Sequence, residues 1–330
     1  MRLTCLVVST SLLFGSPAAL AQASSPAAPD SNSPYEIKAP ANAPNVVIVL
    51  LDDVGFGAAS TFGGPVATPA LDALARDGLR YNRFHTTAIC SPTRSSLLTG
   101  RNPHATGIGT VTNTSDARPG YSGFHTKDTS TIARILRGSG YSTAAFGKWH
   151  QTPDWEASPA GPFDRWPTGE GFERFYGFMG GETDQYDPTL YDGVTPIVRP
   201  AGNAYHLTED LAAKAIEWLH TQKAVTPDKP VLLYFAPGAT HAPFQAPKAW
   251  IERYRGRFDG GWDALRQEIF ARQKKLGVIP ADTVLTPRDP QLPAWSSLAP
   301  DQKRIAARLM EVYAGFLAHT DAQVGKLIDA

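Results

Sequence analysis

The sequence has few cysteines and no excess of charge of either sign. Only two of its 330 residues are cysteine, Cys5 and Cys90, and 31 basic residues balance 31 acidic ones, giving a formal net charge of zero. A neutral chain lacks the electrostatic footprint of a protein that binds nucleic acid or an anionic membrane. We therefore expect no nucleic-acid partner, and any attraction for a charged ligand must be local.

Long hydrophobic runs are also missing. The apolar run Leu3–Phe14 is too short to span a bilayer, and no later segment comes close. With Met1-Arg2 before it and Ala19-Leu20-Ala21 after it, this run predicts a bacterial-type signal peptide over residues 1–21. We expect a periplasmic or secreted protein without a membrane span after cleavage, and Cys90 as the one thiol of the mature chain.

The remainder divides into a linker and one large folded region. Residues 22–43 are rich in Ala, Ser and Pro and predict a flexible linker. Residues 44–330 alternate apolar runs with amphipathic segments, which predicts an α/β fold with a central, mostly parallel or mixed sheet flanked by helices. Val46–Leu51 is an unbroken aliphatic run and predicts a strand buried on both faces. The other predicted strands are 142–146 and 231–235, and the predicted helices are 69–77, 91–99, 130–137, 208–222, 262–276 and 301–330.

Residues 155–200 are rich in Gly, Pro and aromatic side chains and show little periodicity. Such composition predicts long loops, and in α/β enzymes loops of this kind usually form the rim of the pocket.

Cys90 precedes a predicted short helix. Ser91 is a favourable N-cap, Pro92 fits the first helical position, and Gly100 is a plausible stop. The positive end of the helix would then face Cys90, and Arg94 in the first turn adds a cation, so the segment predicts a bound anion. A small buried hydrophobe and an ordinary redox thiol are the alternatives for Cys90.

Polar side chains follow the predicted strands at their carboxyl ends. Asp52 and Asp53 end the first strand, and adjacent carboxylates at such a place favour a bound cation, although a solvated turn is the simpler alternative. Lys148 and His150 follow the second strand and His241 follows the third. Because parallel strands end at one edge of a sheet, these residues are expected to converge there. Two other histidines, His85 and His104, are interpreted as structural.

Several segments together are similar to one enzyme family. Cys90-Ser91-Pro92-Thr93-Arg94, continuing to Leu97-Leu98-Thr99-Gly100-Arg101, resembles the signature of the type I sulfatases, arylsulfatase branch, in the alkaline phosphatase superfamily. Further similar segments, in family order, are Pro44–Asp53, Gly147–His150, Phe178–Thr183 and Ala239–Pro243. The resemblance covers residues 44–330 and implies an alkaline-phosphatase-like fold.

The resemblance implies a role for each convergent residue. Cys90 would be converted by a formylglycine-generating maturation enzyme, and the hydrated aldehyde would supply the attacking oxygen. Asp52 and Asp53, with residue 90, would bind Ca²⁺, with Mg²⁺ as the alternative ion. Arg94 would steady the hydrate, Lys148 and His241 would hold the sulfate group, and His150 would act as the base. The implied substrate is a small-molecule sulfate ester, aryl or short alkyl.

The sequence also departs from the family pattern. Calcium takes six to eight oxygen ligands, and only two convergent carboxylates are present, because the family's later Asp-Asn pair and distal lysine have no match. We therefore interpret the chain as an amino-terminal portion of a longer sulfatase, incomplete at its C-terminus, and expect weak calcium binding and poor solubility. A phosphonate or phosphate-ester hydrolase of the same superfamily and a non-catalytic remnant are the alternative functions.

Overall fold

The sheet at the centre of the molecule has six strands. The computed structural model describes residues 37–202 and 204–330, so the predicted signal peptide and most of the linker lie outside the described residues. The strand order is β1-β6-β2-β3-β4-β5, with β1, β6, β2 and β3 parallel and β4 and β5 antiparallel. The strands are β1 Val46–Val49, β2 Ser142–Lys148, β3 Arg174–Phe178, β4 Leu190–Asp192, β5 Thr195–Ile197 and β6 Val231–Ala236.

Helices cover both faces of this sheet, which confirms the predicted α/β class. They are α1 Pro69–Asp77, α2 Cys90–Thr99, α3 Ile132–Gly138, α4 Leu207–Val225, α5 Lys248–Glu252, α6 Gly261–Lys275 and α7 Pro300–Asp329. Leu98 of α2 and Ala133 of α3 pack on the face that carries Tyr234, whereas Leu211 of α4 and Val324 of α7 pack on the face that carries Phe235. The alternation of side chains along β6 thus separates two apolar layers.

The order of the strands corrects one prediction. The aliphatic run at β1 predicted a strand buried on both faces. Within the described part of the chain, however, β1 pairs with β6 alone and lies at the edge of the sheet. Val47 is 47% exposed as a result. Hydrophobicity identifies the strand, but it does not specify which neighbour the strand pairs with.

A second prediction, of loops throughout 155–200, is wrong in part. This segment contains β3, β4 and β5, and β3 is a central strand with four of its five residues buried. The sequence pattern did not predict β3, β4 and β5, because these strands are short and because Gly177 interrupts the apolar pattern of β3. A Cβ at Gly177 would lie 2.0 Å from the carbonyl oxygen of Gly147, so the glycine allows β2 and β3 to approach.

The lengths and apolarity of the helices bear on whether any of them could cross a bilayer. Among residues 37–202 and 204–330, no helix is both long and apolar enough to cross a membrane.

Candidate active site

The carboxyl ends of β1 and β6 are joined by main-chain hydrogen bonds. The Asp52 amide donates to the Ala239 carbonyl at 2.8 Å, and the Thr240 amide donates back to the Asp52 carbonyl at 2.6 Å. These bonds hold Asp52 and the segment that leads to His241 side by side. The convergence expected of parallel strand ends is therefore present here.

Helix α2 begins at Cys90 itself, so its N-cap is Ile89 and not the predicted Ser91. Ile89 makes no side-chain capping bond, and Ser91 lies inside the helix with its hydroxyl buried and without a partner. Pro92 is tolerated within the first turn, since the amides there have no partner inside the helix. Gly100 ends the helix as predicted, with a φ of 67°.

Cys90 lies next to His150. Their Sγ and Nδ1 atoms are 3.2 Å apart, across 60 positions of the chain. The residue after His150 contacts the first turn of α2, because Gln151 Nε2 donates to the Ser91 carbonyl at 2.9 Å. The segment after β2 therefore positions both the start of α2 and the imidazole beside it.

Arg94 is buried beneath Cys90. One guanidinium nitrogen donates to the Lys148 carbonyl at 2.9 Å and to the Tyr234 hydroxyl at 3.2 Å, and another lies 3.5 Å from a carboxylate oxygen of Asp52. The Nε and one terminal nitrogen have no hydrogen-bond partner among the described residues. Buried unsatisfied donors of a cation favour an anionic ligand.

Asp52 carries the negative charge at the centre of the cluster. Lys148 Nζ lies 2.5 Å from its second carboxylate oxygen. Burial by itself raises the pKa of Asp52, but Arg94 and Lys148 outweigh that effect and hold the pKa below its usual value. Two cations thus share one carboxylate, and the inner cluster has an excess of positive charge.

His150 is neutral at physiological pH. Burial, and then the charges of Lys148 and Arg94, lower its pKa to about 3. Its backbone is left-handed, with a φ of 51°, and its amide donates to the Met179 carbonyl at 3.0 Å. A neutral imidazole beside residue 90 can accept a proton there.

His241 and Asp53 form the outer part of the cluster. The His241 Nδ1 lies 2.7 Å from the Ala242 carbonyl, and its Nε2 lies 3.8 Å from an Asp53 carboxylate oxygen. Both side chains are partly exposed, at 28% and 62%. A cavity of about 420 Å³ opens beside them and is lined by the acidic pair, Cys90 and Arg94.

The donors for a divalent cation are of a suitable kind but incomplete. Asp52 and Asp53 offer hard carboxylate oxygens next to residue 90, as a Ca²⁺ or Mg²⁺ site requires. Within the described part of the chain, however, no group of three or more His, Cys, Asp or Glu side chains could hold a metal ion. These residues supply a portion of a ligand set of six to eight.

The structure adds residues that the sequence did not single out. Tyr234, which bonds to Arg94, occupies an ordinary core position of β6. Gln151 directly follows His150 in the chain, and this adjacency is the only feature of the sequence that could have pointed to it. Glu182 lies 3.8 Å from His241 and belongs to a segment noted for resemblance alone. His104, by contrast, bonds to Tyr121, outside this cluster.

Comparison with known proteins gives consistent matches. A family model described as Sulfatase matches residues 44–330. An arylsulfatase of Klebsiella aerogenes is 33% identical over 298 residues, which cover 87% of this chain and 62% of that protein. An uncharacterized sulfatase of Schizosaccharomyces pombe is 32% identical over 320 residues, covering 89% of this chain and 55% of that protein.

A solved structure extends the comparison to the fold. A protein crystallised with its substrate D-glucosamine-2-N,6-O-disulfate superposes with a TM-score of 0.58 at 18% identity, covering 87% of this chain and 61% of that one. The chain therefore spans a little over half the length of each of these three proteins.

Proposed function

This chain belongs to the sulfatase family, and from that membership we propose that its site hydrolyses sulfate monoesters of phenols and small alcohols. The observation that carries the proposal is the buried contact set around residue 90. Cys90 lies 3.2 Å from His150, above a carboxylate shared by Lys148 and Arg94. The name of the arylsulfatase relative supports an aryl ester as the substrate.

Three cationic or hydrogen-bonding groups would hold the sulfate group. Among residues 37–202 and 204–330, Lys148 and Arg94 form ion pairs with Asp52 alone, so they can bind the oxygens of an entering anion. His241 lies 3.8 Å from Asp53, which lines the cavity beside residue 90. Such donors stabilise the charge that collects on the equatorial oxygens as the sulfur–oxygen bond breaks.

We propose that the nucleophile is made from Cys90 by a maturation enzyme. With an external two-electron oxidant, that enzyme converts the thiol-bearing carbon to the aldehyde of formylglycine, and oxygen replaces the departing sulfur. Water adds to the aldehyde, and one hydroxyl of the hydrate attacks sulfur. The bond from sulfur to the leaving oxygen breaks, and the departing alkoxide or phenoxide takes up a proton. A sulfated form of residue 90 remains.

His150 is suited to the second half of the reaction. Its neutral imidazole removes the proton from the remaining hydroxyl, the carbonyl bond forms again, and the carbon–oxygen bond to sulfate breaks. Sulfate leaves, and water restores the hydrate. The 3.2 Å separation between residue 90 and Nδ1 supports this assignment.

A divalent cation, Ca²⁺ or Mg²⁺, would be held by Asp52 and Asp53 with residue 90 and further ligands. Such an ion lowers the pKa of a bound hydroxyl and neutralises developing negative charge. Asp53 is the more accessible of the two carboxylates, since Asp52 already carries Lys148.

The test combines peptide mass spectrometry with turnover. The full chain is produced together with a formylglycine-generating enzyme. Mass spectrometry should then find residue 90 as an aldehyde or its hydrate, and the same preparation should hydrolyse 4-nitrophenyl sulfate. Cys90→Ala should abolish turnover, while Cys5→Ala should not. A free thiol at residue 90 in an active preparation would contradict the proposal.

Two alternatives give different outcomes in the same assay. Faster turnover of a phenyl phosphonate monoester than of 4-nitrophenyl sulfate would favour a phosphonate or phosphate-ester hydrolase. No turnover of any ester by the modified protein would favour a non-catalytic remnant. We also propose that the chain is exported through the signal peptide predicted over residues 1–21 and that a maturation enzyme modifies Cys90.

A further inference from the structure

The loop after β3 brings an acidic side chain to the site that the proposed reaction does not use. A Cβ at Gly181 would lie 2.8 Å from Cε1 of His150, so this loop packs against the proposed base. The next residue, Glu182, places a carboxylate oxygen 3.8 Å from Nδ1 of His241. One dipeptide therefore touches both histidines of the proposed site.

The corner that contains Glu182 has a negative net charge. His241 lies between Glu182 and Asp53, at 3.8 Å from each carboxylate. The imidazole can carry at most one positive charge, whereas the two carboxylates can carry two negative charges. Since Glu182 is 68% exposed, its charge faces whatever approaches His241 from solvent.

The inner cluster has the opposite sign. Lys148 and Arg94 share the single carboxylate of Asp52, so a sulfate group meets positive charge at the bottom of the site. Asp53 lines the cavity and lies 3.8 Å from His241, so a substrate that enters there would pass beside this corner. A divalent ion bound at Asp53 would neutralise that carboxylate, which leaves Glu182 as the unneutralised negative charge beside His241.

We propose that Glu182 is a specificity-determining residue that selects sulfate esters whose leaving group is neutral or cationic and disfavours those with a second negative charge. The inference rests on the proposed function and narrows its substrate class to esters in which the sulfate group carries the only negative charge. Between charges several ångströms apart near a protein surface, the expected discrimination is about three- to tenfold.

The experiment uses a matched pair of substrates, 4-carboxyphenyl sulfate and its methyl ester, with sulfate release as the readout. The quantity compared is the ratio of kcat/KM for the ester to kcat/KM for the acid. Differences in leaving-group basicity cancel when this ratio is compared between variants. Glu182→Gln should lower the ratio about three- to tenfold relative to wild type, and Glu182→Lys should lower it further.

Asp187→Asn is the control for overall charge. Asp187 lies in the same loop, pairs with Arg199 and is 89% exposed, so its removal changes the net charge by the same amount away from His241. In Asp187→Asn, the ratio of kcat/KM for the methyl ester to kcat/KM for the acid should match that of wild type. An unchanged ratio in Glu182→Gln, or an equal change in Asp187→Asn, would overturn the inference.

Ionic strength separates charge from shape. Discrimination by an exposed carboxylate should shrink as salt rises from about 0.02 to 0.5 M, because the Debye length falls below the separation of the charges. A ratio that is independent of salt in wild type would contradict the electrostatic explanation. Absence of turnover with both esters contradicts the proposed function, and the inference then falls with it.

Discussion

At the scale of single residues, Asp52 is the group on which the charge balance of the site depends. Its carboxylate is the shared partner of Lys148 and Arg94, and all three side chains are buried. Replacing it with asparagine leaves two buried cations facing each other. We expect Asp52→Asn to lower the free energy of unfolding by about 3–5 kcal/mol in the presence of EDTA.

The double variant Asp52→Asn/Lys148→Met provides the check. It leaves Arg94 as the single cation, still bonded to Tyr234 and to the carbonyl of residue 148. Urea unfolding should show the double variant at least about 1 kcal/mol more stable than the sum of the two single changes predicts. Strictly additive losses would mean that the three charges do not interact.

His206 is a second residue whose burial has a measurable consequence. Burial, and then the neighbouring His319, lower its pKa to about 4 from an ordinary value of 6.5. The folded state therefore keeps it neutral while the unfolded state takes up a proton. Its contribution to stability is complete above pH 6.5 and is lost as the pH falls towards 4, by up to about 3 kcal/mol.

The variant His206→Asn tests this pH dependence. Asparagine can replace the histidine as the N-cap of α4, where Nδ1 now accepts from the Thr208 amide at 3.2 Å. Guanidinium unfolding at pH 7 and pH 4.5 should show a smaller acid loss in the variant than in wild type. An identical acid loss would place the effect in other groups, such as His319.

At the scale of elements, the loop after β3 holds the imidazole of His150 in place. A Cβ at Gly181 would lie 2.8 Å and 3.1 Å from two atoms of that ring, so Gly181→Ala must displace it. We expect kcat for 4-nitrophenyl sulfate to fall by about ten- to a hundredfold, because small misplacements of a reacting group are costly.

The neighbouring glycine is the matched control for this loop. A Cβ at Gly180 would meet nothing closer than the Glu182 carbonyl oxygen at 3.6 Å, which is an ordinary contact. Gly180→Ala should therefore retain kcat within about twofold of wild type. Equal losses in the two variants would indicate a general disturbance of the loop.

At the scale of the whole molecule, the described residues supply only two carboxylates for a cation that takes six to eight oxygen ligands. Calorimetric titration of the 330-residue chain with Ca²⁺ should therefore give a dissociation constant no tighter than about 10⁻⁴ M. Asp53→Asn should abolish the heat of Ca²⁺ binding, whereas Asp187→Asn should leave it unchanged. Submicromolar binding would show that the ligand set is more complete than these residues suggest.

Local sequence was sufficient for most elements and for the composition of the site. A strand over 231–235 was predicted from its consecutive apolar residues, and the structure extends it by one residue, to Ala236. Gly100 was predicted as the stop of the helix, and its φ of 67° agrees with that role. The seven predicted site residues could be named because each follows a strand or begins a helix, or belongs to a segment that resembles the sulfatases.

Only the tertiary structure decided which described strand lies at the edge, which buried residues meet, and which carboxylates lie beside His241. Strand pairing depends on neighbours distant in the chain, so β1 looked like a central strand in its own sequence. Arg94 meets Tyr234 across 140 positions, and Glu182 reaches His241 only after the β3 loop folds over the ends of the sheet. Sequence patterns act over a few residues, whereas these contacts arise from packing of the whole chain.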